Sequence, residues 1–123
     1  MASSGIQTVG GVRTGITALA GGTGASNYTA ANTLNFGTNV VSVCATAGDA
    51  VILPAGIPQG GKVILVNLGV AVCDVTPNVG GTLNGGGATV QRGVAAAGGG
   101  ATFIQTGTDG LTWVGLGTQA PTA

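Results

Sequence analysis

The sequence predicts an all-β protein: a small β-sandwich or barrel-like domain of the jelly-roll or tulip type, with an extended N-terminal arm. Three observations favour this fold class. Short apolar runs recur at intervals of roughly 8–13 residues and are separated by turn-forming residues. The chain contains 26 glycines and 4 prolines, residue types that disfavour helices. No segment shows sustained helical periodicity.

The N-terminal third differs in composition from the rest of the 123-residue chain, which is long enough for one domain. Residues 1–37 are rich in small and polar residues, with weak β-like patches around Ile6–Val9 and Ile16–Leu19. The stretch Gly21–Asn32 has almost no large apolar residue and cannot contribute to a core. We therefore expect residues 1–37 to form an extended arm that orders on a neighbour, and residues 38–123 to form the β domain.

Each strand of the β domain is predicted from an apolar or β-branched run. The strongest run, Lys62–Asn67, is apolar on both faces, which predicts a strand covered on both sides. A short link predicts a hairpin between this run and Val70–Thr76. The Asp109-Gly110 turn predicts a second hairpin before Leu111–Leu116. The predicted strands are Thr38–Thr46, Asp49–Leu53, Lys62–Asn67, Val70–Thr76, Thr82–Leu83, Ala88–Val94, Ala101–Gln105 and Leu111–Leu116.

Charge is unusually sparse, at 5% of residues against about a quarter in a typical soluble domain. The charged residues are Arg13, Lys62, Arg92, Asp49, Asp74 and Asp109, and the formal net charge is zero. Such a surface has little electrostatic protection against association. We expect much of it to be covered by neighbouring subunits or made of Thr, Asn and Gly. Three cations are too few to neutralise a useful run of phosphates, so no nucleic-acid partner is expected.

No membrane or secretory segment is predicted. No window approaches the roughly 18 apolar residues of a membrane span. The first residues lack the basic and apolar regions of a secretory signal. We therefore expect no membrane partner and synthesis in a cytoplasm-like compartment.

The two cysteines, Cys44 and Cys73, are too few for a disulfide framework, and both lie in β-like runs. The favoured interpretation is that they are small buried hydrophobic residues. A single bridge between neighbouring strands is one alternative and a reactive thiol is another. The absence of histidine argues against an activated thiol.

Catalytic and ligand-binding motifs are missing or incomplete. The absence of histidine removes Ser-His-Asp and Cys-His catalysis and most zinc and haem sites. Asp49 and Asp109 adjoin glycines in predicted turns, where aspartate bonds its own backbone. Gly56–Lys62 nearly matches a phosphate-binding loop, but Val63 replaces the Ser or Thr and a strand follows instead of a helix. We expect no enzyme activity, no cofactor and no metal site.

Within Asp49–Gly117, a set of strand-and-turn segments carries a resemblance to a known family. The segments are Asp49-Ala-Val-Ile-Leu-Pro54, Gly61-Lys-Val-Ile-Leu-Val-Asn67-Leu-Gly69, Val75-Thr-Pro77, Gly80-Gly-Thr-Leu-Asn84-Gly85, Gly100-Ala-Thr-Phe103-Ile104 and Thr112-Trp113. They resemble the small head decoration (cement) proteins of tailed bacteriophages, which are Gly/Ala/Thr-rich β folds. The resemblance covers somewhat over half of the chain and includes no chemical signature.

The resemblance implies a structural virion protein on the capsid exterior, assembled in the host cytoplasm. Such a protein forms a homotrimer and bridges major capsid protein subunits to stabilise the head. The expected interface residues are Arg13 and Ile16 in the arm, Lys62 and Arg92 as the remaining cations, and Trp113 as an aromatic anchor. The first alternative is a phage tail or head appendage module, structural or receptor-binding. A non-viral β scaffold is a further one.

Overall fold

The computed structural model describes residues 11–19, 32–78, 80–85 and 91–121, and every helix or strand in these ranges is a β-strand. The predicted all-β class is confirmed. The strands are β1 Val12–Thr17, β2 Gly37–Val43, β3 Ala50–Ile52, β4 Lys62–Asn67, β5 Cys73–Thr76, β6 Thr82–Leu83, β7 Arg92–Val94, β8 Gly99–Gln105 and β9 Thr112–Leu116.

Most predicted strands agree with these bounds to within a few residues, because β-branched runs between turn residues are a strong local signal. The bounds of β4 coincide with the predicted ones. The weak patch at Ile16–Leu19 overlaps the end of β1, which spans Val12–Thr17. The patch at Ile6–Val9 and residues 88–90 of the predicted strand Ala88–Val94 lie outside the described residues.

The strands form a six-stranded sheet in the order β1-β2-β4-β8-β9-β6 and a three-stranded sheet in the order β3-β5-β7. From β2 to β5 the chain alternates between the sheets. Strand β2 pairs in parallel with β1, β4 with β2, and β5 with β3. Val12 pairs with Thr38 and Thr38 pairs with Ile64, an interval of 26 residues each time (38 − 12 and 64 − 38). This part of the chain therefore winds like a solenoid.

The second half extends both sheets mainly with antiparallel pairs, although the edge strand β6 pairs in parallel with β9. Strand β8 pairs antiparallel with both β4 and β9, and β7 pairs antiparallel with β5. Sandwiches and jelly rolls are built from antiparallel strands throughout. The combination of parallel turns with antiparallel pairs is solenoid-like and is not a clear sandwich or jelly roll.

The predicted hairpin between Lys62–Asn67 and Val70–Thr76 is wrong, because β4 and β5 lie in different sheets. A corner replaces it. The Asn67 side-chain amide donates to the carbonyls of Ala71 (2.9 Å) and Val94 (3.1 Å), and its oxygen accepts from the Gly69 N–H (2.9 Å). At Gly69 a Cβ would lie 2.5 Å from the backbone nitrogen of Cys44, so the corner requires glycine.

The predicted hairpin between β8 and β9 is confirmed. Its turn contains Asp109, which accepts from the Leu111 N–H (2.9 Å) and the Thr112 hydroxyl (3.1 Å). These donors, the Leu111 amide first, lower the pKa of Asp109 because they favour its ionised form. The predicted role of this aspartate in binding its own backbone is therefore confirmed.

One core lies between the sheets and includes side chains from both. Its members are Ile16, Ala18, Leu34, Val41, Cys44, Val51, Leu53, Val63, Leu65, Cys73, Val75, Leu83, Val94, Ala101, Phe103 and Trp113. Both cysteines are free and buried, as the favoured interpretation predicted.

Part of the predicted arm lies within this domain. Strand β1 pairs in parallel with β2, and Ile16 is 3% exposed in the core beside the buried Ala18 and Leu34. The Arg13 guanidinium donates to the Thr33 carbonyl. Residues 1–10 and 20–31 lie outside the described residues, and for them the arm stays a prediction.

Candidate interaction surface

A row of side chains crosses five strands on the side of the six-stranded sheet that faces away from the core. Each member pairs with the next across the sheet, in the order Val12 (β1), Thr38 (β2), Ile64 (β4), Thr102 (β8) and Leu116 (β9). Cross-strand partners have Cβ atoms about 5 Å apart, so neighbours in the row adjoin. Val12 is 69% exposed, Ile64 36% and Leu116 53%.

Two shorter rows flank this one. Lys62, Ile104 and Val114 are paired across β4, β8 and β9. On the other side, Val40 and Val66 are paired with Gly100 across β2, β4 and β8. We call the combined surface the outer face; it comprises Val12, Thr38, Val40, Lys62, Ile64, Val66, Gly100, Thr102, Ile104, Val114 and Leu116.

Alternation along the strands shows why these residues are outside. In β4 the core-facing Val63 and Leu65 are fully buried, whereas Lys62 and Ile64 are exposed. The sequence predicted that β4 is covered on both sides, and in the single chain only the core side is covered. Strand propensity favours Val and Ile at exposed positions but does not favour Leu116. The apolar character of the outer face is thus only partly explained within one chain.

Lys62 is the one charged member of the outer face. Most other charges are engaged within the chain. The Arg92 Nε–H donates to the Thr118 hydroxyl (3.2 Å). The Asp49 carboxylate accepts from the backbone N–H groups of Ala45 (3.0 Å) and Thr46 (3.1 Å). The outer face therefore presents aliphatic and hydroxyl groups with a single cation at its margin.

The five predicted interface residues do not come together. Ile16 and Trp113 are core residues, 3% and 1% exposed, so neither reaches a partner in this structure. Arg13 and Arg92 are half-buried on β1 and β7. Of the five, Lys62 alone lies on the outer face.

A second exposed apolar group lies where β2 and β4 end. It consists of Val43, Leu68 and Val70, which are 47%, 55% and 82% exposed. Leu68 is held beside β2 by its N–H, which donates to the Val41 carbonyl (2.9 Å). This group lies at one end of the sheet and is not part of the outer face.

The near match to a phosphate-binding loop is a turn between strands. The Gly60 N–H donates to the Gln105 carbonyl (2.7 Å), and the Gly61 N–H donates to the Pro58 carbonyl (2.9 Å). These two amides are thus engaged within the protein, and strand β4 follows directly. Among residues 11–19, 32–78, 80–85 and 91–121, no group of three or more His, Cys, Asp or Glu side chains is placed to hold a metal ion.

Comparison with known proteins adds no relative. No protein-family model matches the chain, and no curated protein sequence matches it. In the part of the chain that the structure describes, no helix is long and apolar enough to cross a membrane.

Proposed function

We propose that the chain is a structural virion protein, a capsid decoration (cement) protein that trimerises and bridges major capsid protein subunits on the exterior of a tailed-phage head. The observation that carries this proposal is the outer face, an apolar and nearly uncharged surface that spans five strands. The resemblance of Asp49–Gly117 to decoration proteins supports it from the sequence.

The outer face fits association between copies of the chain. Burial of apolar surface contributes about 25 cal/mol per Å². The face carries aliphatic side chains on β1, β2, β4, β8 and β9, so a partner that covers it gains this contribution from many positions. Three copies placed around a three-fold axis would each contact both neighbours through these faces, which closes the assembly.

The charge distribution fits the same arrangement. Like charges placed opposite each other would oppose self-association, and the outer face has only Lys62. Lys62 lies at the start of β4, in the row at one margin of the face. From there its aliphatic stem can cover apolar surface while the ammonium group stays in water.

The proposed binding to the capsid rests on repeated copies of the same weak contact. A trimer presents three copies of every surface to a symmetric lattice, and several weak contacts made together give high avidity. The exposed group Val43, Leu68 and Val70 lies off the outer face and remains available for such contacts when copies associate. Bridging of adjacent capsid subunits would then oppose their separation.

The test is binding to heads assembled without this chain from the major capsid protein encoded with it. We expect the chain to co-sediment saturably with the heads and to raise the temperature at which they rupture. Ile64→Lys should lose binding because monomers lose avidity, whereas Thr108→Lys, on the exposed turn between β8 and β9, should bind normally. A folded trimer that does not bind heads would refute the decoration role.

The appendage alternative is favoured by one observation, the parallel stacking of β1, β2 and β4. Solenoid-like stacking suits elongated structures, because each turn contacts mainly its neighbours. Labelled chain added to virions that lack it distinguishes the two functions. Decoration predicts label over the whole head surface, and an appendage predicts label at the tail or at a single head vertex.

A further inference from the structure

The two cysteines come from different sheets and meet in the core. Cys44 directly follows β2, and Cys73 begins β5. Both side chains belong to the same cluster of buried core residues. The Ala71 N–H donates to the Cys44 carbonyl (3.0 Å), and the Cys44 thiol donates to the Val72 carbonyl (3.4 Å). The backbone therefore holds Cys44 against the segment that carries Cys73.

We propose that Cys44 and Cys73 are a cross-linking site: hydrogen peroxide, a small diffusible oxidant, converts the pair into an intramolecular disulfide that joins the two sheets. This inference does not depend on the proposed virion function. The thiols are 1% and 0% exposed, which excludes bulky oxidants but admits peroxide during local opening. In a reducing compartment the pair stays as two thiols.

The chemistry needs no other group. The Cys44 thiolate attacks one peroxide oxygen, the O–O bond breaks and hydroxide leaves, which gives a sulfenic acid. The Cys73 sulfur then attacks the Cys44 sulfur, loses its proton, and displaces the hydroxyl as water. In total two thiols are oxidised and one peroxide is reduced to two waters.

The environment of the pair assigns the order of these steps. The neighbouring Cys73 thiol lowers the pKa of Cys44 because it can donate to the Cys44 thiolate, and the same neighbour together with burial raises the pKa of Cys73. Because the thiolate is the nucleophile, Cys44 reacts first and Cys73 resolves the sulfenic acid.

The disulfide would enclose the chain from Cys44 to Cys73, which contains β3, β4 and the corner at Asn67. A cross-link over a segment of this length restricts the unfolded chain strongly. We expect the melting temperature to rise by about 10 °C on oxidation.

The test uses the wild-type chain, reduced and then treated with peroxide under native conditions. Trypsin cleaves after Arg13, Lys62 and Arg92, which places Cys44 in peptide 14–62 and Cys73 in peptide 63–92. We expect these peptides to be linked, lighter by two hydrogens than their sum, and derived from chains of monomer mass under denaturing conditions. Dithiothreitol should separate them and return the melting temperature to that of the reduced chain.

A single substitution provides the control. Cys73→Ala should give no linked peptides, further oxidation of Cys44, and no rise in melting temperature. The proposal fails if wild-type peptides stay unlinked, if each carries added oxygen instead, or if links form only between chains. Because the decisive result comes from the wild type, instability of a variant does not affect it.

Discussion

The two faces of the six-stranded sheet are built from the same strands and are both apolar, yet only one is buried. On the inner face Val63, Leu65 and Phe103 are fully buried. On the outer face their neighbours Ile64 and Ile104 remain at least partly exposed. The fold of one chain explains the inner face through core packing. The outer face is explained by our proposal that other copies of the chain cover it.

The largest expected difference between the two faces is in how much each contributes to the free energy of unfolding. Two adjacent residues of β8, one on each face, measure it. Phe103→Ala should lower the free energy of unfolding by about 3–5 kcal/mol, because it leaves a cavity in the core. Ile104→Ala should cost under about 1 kcal/mol in the monomer. Urea unfolding of both changes in the Ile64→Lys background, which we expect to be monomeric, measures this contrast. Equal losses would mean that the outer face is already packed within one chain.

The next largest effect is expected from replacing a polar side chain on the inner face. Asn67→Ala should cost about 1–3 kcal/mol, because it removes the bonds to the Ala71 and Val94 carbonyls and the Gly69 N–H at the corner. Thr38→Ala on the outer face is the matched change and should cost no more than about 0.5 kcal/mol. An Asn67 variant as stable as the Thr38 variant would show that the corner forms without this side chain.

A smaller effect is expected at Trp113, whose indole N–H is buried with no hydrogen-bond partner among the described residues. Trp113→Phe removes this N–H and part of the ring. Because a buried donor without a partner opposes folding, its removal should offset much of the free-energy cost of the cavity. The net loss of unfolding free energy should be about 1 kcal/mol. A cost near that of Trp113→Ala, measured by urea unfolding, would mean that the indole nitrogen does have a partner.

The smallest effect concerns pH at the β8–β9 turn. The folded pKa of Asp109 lies below its unfolded value of about 3.9. Its contribution to stability is therefore complete above that unfolded value and is lost as the pH falls through the folded pKa. Asp109→Asn should flatten this acid dependence slightly without changing the fold. Identical acid-unfolding curves for wild type and variant would contradict the assignment.

Local signals explain which parts of the fold could be predicted. The β8–β9 hairpin is encoded by Asp109 and its neighbours, which bond one another within a few residues. The β4–β5 corner looks like a hairpin in sequence because its link is short. Its direction depends instead on distant partners, such as the Asn67 bond to Val94. The solenoid-like turns were missed because VRTGIT, GTNVVSV and KVILVN share a pattern but few residues.

The outer face was only partly predictable for a related reason. When both sides of a strand are apolar, alternation cannot tell which side faces the core. Ile16 and Trp113, expected to contact partners, pack inward, whereas Ile64 and Leu116, on the same sheet, point outward. Lys62 was selected as one of the few cations, although a charge in an apolar run also marks the exposed side of a strand.

The most direct test of the proposed role of the outer face is native mass spectrometry at micromolar concentration on wild type, Ile64→Lys and Val70→Lys. Val70 is 82% exposed but lies off the outer face, so its variant adds the same charge elsewhere. We expect trimers of wild type and Val70→Lys, and folded monomers of Ile64→Lys. A monomeric wild type, or an Ile64→Lys variant that remains trimeric, would contradict self-association through the outer face.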